Sequence, residues 1–144
     1  MINLTKSLVA LSAALITMAV LWSADAAQAQ AAHALEVTVP FDFYAAGKLL
    51  PAGNYEAVTM VNNMVRLYNP TTRDVAAFPT MGVAKQFGEI TTPKLVFNKY
   101  GADHFLSEMW WGRGSGGIAP IPTKVETELA KAARPIRIEA RARR

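Results

Sequence analysis

Hydrophobic and polar residues alternate through most of the chain. Leu35, Val37, Val39, Phe41 and Phe43 interleave with Glu36, Thr38, Pro40 and Asp42. That period of two marks a strand with one buried face. Pro40 has no N–H for a ladder, so this strand belongs at an edge or carries a bulge there. Gly47 to Gly53 reads as a turn-rich connector, and Tyr55, Ala57, Thr59 and Val61 resume the alternation. Asn62-Asn63 fits a tight hairpin turn, because asparagine tolerates positive φ. Met64–Tyr68 returns as a short strand, and Asn69-Pro70-Thr71-Thr72 turns the chain again.

Val75–Phe78 is a further strand that Pro79 ends or bulges, with Met81–Lys85 as its continuation. Gln86 to Pro93 is loop-like. Lys94–Tyr100 and His104–Trp111 are rich in β-branched and aromatic residues and form a second hairpin through Gly101-Ala102-Asp103. Gly112 to Pro122 breaks the composition with glycine and proline. Thr123-Lys124-Val125-Glu126 then fits a capping box, and a helix over 123–134 carries Val125, Leu129 and Ala132 on its apolar stripe. Pro135 stops it. Ile136, Ile138, Ala140 and Ala142 alternate with Arg137, Glu139, Arg141 and Arg143, so 135–144 is a basic final strand or tail. Strands at this spacing predict an all-β fold, an antiparallel sandwich or small barrel of about seven to eight strands with one C-terminal helix.

The first quarter of the chain departs from this pattern. Lys6 precedes a mainly apolar run from Leu8 to Trp22, and Ala-x-Ala sites follow from Ala24 onward. That order is the layout of a secretory signal peptide, expected over residues 1–29 with a cut possible up to 34. The apolar run is too short for a membrane span of about 20 residues, and no cysteine follows it to take a lipid. The expected mature protein is therefore exported, periplasmic or extracellular, with no stable membrane span after cleavage. Its 110 to 115 residues suffice for one core built from 35–111 and closed by the connector and helix. The 144 residues contain no cysteine, which rules out disulfide scaffolds and thiolate metal sites.

Net charge is +4, and residues 123–144 carry all of it, with seven basic and three acidic side chains. Arg137, Arg141, Arg143 and Arg144 are candidate contacts for an envelope polyanion or polysaccharide. The alternative is a solvated edge that discourages aggregation. Nucleic acid is not an expected partner, for no fold motif or helical basic stripe supports it.

Catalytic signatures are weak. Gly112-Arg113-Gly114-Ser115-Gly116-Gly117 matches G-x-G-x-x-G, but Ile118-Ala119-Pro120-Ile121-Pro122 cannot begin the helix that would face a pyrophosphate. His33 falls near the leader, and His104 is expected in a surface turn without metal-ligand spacing around it. Glu36, Asp42, Glu56 and Glu108 lie on polar strand faces. A hydrolase would need two of them across a cleft. No cofactor, metal or catalytic residue is expected. Trp110 and Trp111 are adjacent in a strand and must face opposite sides. The helix or connector is the expected cover for the outward ring; otherwise Tyr100, Trp110, Trp111 and Arg113 form a ligand or partner patch.

Five segments, Val39-Pro40-Phe41-Asp42-Phe43, Leu50-Pro51-Ala52-Gly53-Asn54-Tyr55, Leu95–Gly101, His104–Trp110 and the helix after a Gly/Pro connector, resemble a family of small exported β-rich proteins of environmental bacteria, notably acidobacteria. The resemblance implies export and the β-rich fold, and brings no activity with it. The chain is accordingly expected to be an exported, non-catalytic binding or envelope-associated module. The alternatives are a lipocalin-like carrier of a small apolar ligand and a carboxylate-dependent hydrolase.

Overall fold

The computed structural model describes residues 34–84, 92–112 and 116–142. The expected leader, His33, Arg113, Arg143 and Arg144 lie outside them. Ten strands and one helix follow in order: β1 Ala34–Val39, β2 Phe43–Ala45, β3 Lys48–Leu50, β4 Gly53–Thr59, β5 Met64–Tyr68, β6 Val75–Val83, β7 Lys94–Tyr100, β8 Asp103–Trp110, β9 Gly117–Pro120, α1 Lys124–Ala132 and β10 Ile136–Arg141. The all-β class with one C-terminal helix holds.

Strand order runs β1-β4-β5-β6-β9-β8-β2-β3, and β7 joins β8 to β10. β6 is the corner. Its first half pairs with β5 and its second half with β9. Pro79, unable to donate, stands where the ladder changes partner. The sheet folds into a sandwich without closing, since among the described residues its ends are paired by the isolated bridge between Val37 and Ala142 and by no continuous ladder.

Alternation becomes burial as expected. Leu35, Val37 and Val39 face inward from β1, Tyr55 and Ala57 from β4, Val65 and Leu67 from β5, and Ala76 and Phe78 from β6. Rings interlock at the centre: Phe43 meets Tyr55 at 5.2 Å and Phe97 at 5.1 Å, both edge-on. Turns use the backbone freedom that the sequence advertises. Asn62 and Asn63 have φ of 59° and 56°, the left-handed pair a two-residue hairpin needs. Asn69 is buried, and its carboxamide oxygen accepts from the N–H of Thr71 and of Thr72.

Four expectations need correction. The run from Leu35 to Phe43 is two strands, because Pro40 interrupts the ladder and the chain swings so that β2 pairs in parallel with β8. The 47–53 connector contains β3, which forms a hairpin with β2 through Ala46 and Gly47, both at positive φ. The 112–122 connector contains β9. These short strands raise the count from the expected seven or eight to ten among the described residues. In α1, Val125 and Ala132 are exposed, while Glu126 and Leu129 are half-buried. The less exposed stripe of the helix is thus a different one, and Thr123 Oγ1 accepts from Glu126 N at 3.3 Å as its N-cap. The final strand is present over Ile136–Arg141.

Candidate functional site

Two rings of the alternative aromatic patch are covered, as the expected packing of the outward ring under helix or connector requires. Trp110 is 3% and Tyr100 8% exposed, so neither offers a ring to a ligand. Both belong to a second apolar layer on the outer side of β7 and β8, where Phe105 stacks on Tyr44 at 5.0 Å and meets Tyr100 edge-on at 5.9 Å. Gly117 covers Trp110: the two are register partners, and the indole lies flat against the glycine backbone. The connector is thus the cover. Trp111 faces the other way and packs against the main core. The first turn of α1 borders this layer, and burial together with the Glu126 charge raises the Tyr100 hydroxyl above the usual tyrosine range.

Arginines on β10 are partly neutralised. Arg137 Nη2 pairs with Glu108 Oε1 at 2.8 Å, and Glu108 Oε2 accepts from Trp110 Nε1 at 2.9 Å. Lys94 pairs with Glu139. Carboxylates therefore interleave with the cations on this face, and Arg141 has no ion-pair partner among the described residues. A polyanion surface needs unopposed charge, and of the two described candidates Arg141 meets that need and Arg137 does not.

His104 is on β8 rather than in a turn. Phe41 stacks on it at 4.0 Å and 15°, which ties the β1–β2 link to β8. Burial and the neighbouring Lys99 push its pKa below the usual histidine value. Among the described residues, no three His, Asp or Glu side chains gather as a metal site requires. No helix there is long and apolar enough to cross a membrane.

Two surface features remain. A shallow pocket of about 220 Å³ lies over β1 and β4, lined by Glu36, Thr38, Asn54, Glu56 and Pro70 with parts of Val37 and Tyr55. Glu36 and Glu56 are direct cross-strand partners there, and Thr38 Oγ1 bonds Asn54 Oδ1 at 2.7 Å. Like charges directly opposite are destabilising, so this pair works against the sheet that carries it.

The second feature is the outer side of β6. Val75, Ala77, Pro79 and Met81 point outward and are exposed, while Ala76, Phe78 and Thr80 between them are buried. An antiparallel strand with one wet face normally carries polar residues on it; β6 is apolar on both sides. Simple alternation passes over this surface. The signal that marks it is the absence of Asp, Glu, Lys and Arg from 57–65, 75–84 and 116–123, three separate segments that pairing brings together. Compared with known protein families, curated proteins and solved structures, the chain gives no match.

Proposed function

We propose that this chain is an exported, non-catalytic binding module that works at the cell envelope through its outer surface. The observation that carries the reading is the bare apolar face of β6 set against an interior already filled by Phe43, Tyr55 and Phe97. A carrier needs a hollow for its ligand, whereas a surface binder needs uncovered apolar area. The order of Lys6, apolar run and Ala-x-Ala sites supports export. The test is expression of the full chain in a Gram-negative host, followed by fractionation, N-terminal sequencing and washing of purified envelopes. The reading predicts a processed, exported protein retained on the envelope; an unprocessed cytoplasmic protein, or one removed by the first wash, refutes it.

A second reading, a carboxylate-dependent hydrolase, draws support from the opposition of Glu36 and Glu56 in the β1–β4 pocket. Cross-strand partners stand about 5 Å apart at Cβ, close to the spacing of a retaining glycosidase pair. Turnover of glycosides that disappears in both Glu36→Gln and Glu56→Gln would establish it.

A further inference from the structure

We infer that the charge-free end of the sheet is a docking face for an anionic lipid surface. This rests on the envelope-binding reading and names its partner and site. Three segments meet at this end. Asn63 O accepts from Thr80 N at 2.8 Å and from Thr80 Oγ1 at 2.7 Å, and Pro79 O accepts from Ile121 N at 3.4 Å. These bonds hold the β4–β5 turn, the middle of β6 and the residues after β9 side by side. Val61 is 80% exposed at the turn, and Met60, Met81 and Ile121 are each 48% exposed around it. The left-handed Asn62-Asn63 pair fixes the turn's shape, so the apolar groups are presented by a set backbone.

Charge selects the partner. No charged residue interrupts the three segments. The first described ones beyond them at this end are basic, Arg66 on the outer side of β5 and Lys124 at the start of α1, both exposed. Glu56, in the middle of β4, lies two positions further from the turn than the level of Arg66, since it opposes Tyr68 whereas Arg66 opposes Val58, and Tyr68 in turn opposes Val75. Asp74, just before Val75, is further from the turn again. An apolar tip whose nearest described charges are basic, with the carboxylates set further back, suits the boundary between acyl chains and anionic headgroups. A second copy of the chain fits less well. A stable pair buries roughly 800 Å² on each partner, more than Val61 and three half-exposed side chains around it supply.

The test compares the purified full chain with Val61→Asp and with Arg66→Glu/Lys124→Glu. Each is sedimented with phosphatidylcholine vesicles, and with the same vesicles containing phosphatidylglycerol, at low and high salt. Val61 is too exposed to matter for folding, and circular dichroism checks that the variants match. The wild type is expected to bind the anionic vesicles, and Val61→Asp about tenfold more weakly. The double variant should lose the preference for anionic over neutral vesicles, and salt should have the same effect. Any retained leader is common to all three proteins, so the comparison isolates the surface. Equal binding by wild type and Val61→Asp overturns the inference. So does a wild-type dimer that Val61→Asp splits, which would make the face an interface between copies. Wild-type retention on envelopes without vesicle binding removes the lipid face and leaves the envelope reading; retention on neither removes both.

Discussion

Replacing Gly117 by alanine probes how Trp110 is held. A Cβ built at Gly117 would stand 2.6, 2.7 and 2.8 Å from three carbons of the Trp110 indole, distances no real methyl group keeps. The ring has little room to yield, because its Nε1 bonds Glu108 and Glu108 is in turn paired with Arg137. Alanine itself fits a strand backbone and normally adds about 0.4–1 kcal/mol by restricting the unfolded chain. Overpacking of a buried site costs about 1–3 kcal/mol, so the clash outweighs the gain and a net loss of about 1–2 kcal/mol follows. In a domain of this size that lowers Tm by roughly 4–15 °C. Gly82 supplies the control. It sits on β6 opposite Ile118 in the adjoining ladder, and a Cβ there meets nothing within 4 Å. Thermal unfolding followed by circular dichroism should show Gly117→Ala well below wild type and Gly82→Ala level with it or slightly above. Adding Trp110→Leu to Gly117→Ala should remove the clash and leave only the cost of the smaller side chain. Equal stability for Gly117→Ala and wild type, or equal losses for both glycine variants, would refute the account of how Trp110 is covered.

Three further outcomes follow from the same contacts. Asn69→Ala removes the buried acceptor for two turn amides, and urea titration should show a loss of about 1–3 kcal/mol. Burial raises the hydroxyls of Tyr55 and Tyr100 above the ordinary tyrosine value of 10.0. Their contribution is complete below that value and is lost as pH climbs through the raised folded values, so alkaline melting should fall while phenolate absorbance lags behind free tyrosine. His104, held below 6.5 by burial and Lys99, stabilises the fold fully above that value and loses its contribution as pH drops through the lowered one. His104→Phe should flatten this acid limb in a pH series of melting temperatures.

Much of the architecture was readable without coordinates, and for local reasons. Alternation at Leu35, Val37 and Val39, the Asn62-Asn63 turn and the Thr123 cap each depend on neighbours within a few positions, where propensity and backbone geometry decide. The site was less readable. Trp110 and Tyr100 stayed open between a covered and a contact role because alternation states that a side chain leaves the core but not what lies over it. The answer came from Gly117, whose lack of a side chain reads as flexibility in sequence and as room for an indole in space. Arg137 looked like free charge until β10 aligned it with Glu108.

The amino-acid order alone determined the strand-rich class, the terminal helix, the turns and the concentration of positive charge near the end, since each is a property of short stretches of chain. Tertiary structure decided the break at Pro40, the corner at β6, the burial of the outward aromatics and the gathering of three uncharged segments into one surface. Those outcomes depend on which distant strands pair and in what register, and pairing is settled by the packing of the whole core rather than by the residues of any one strand.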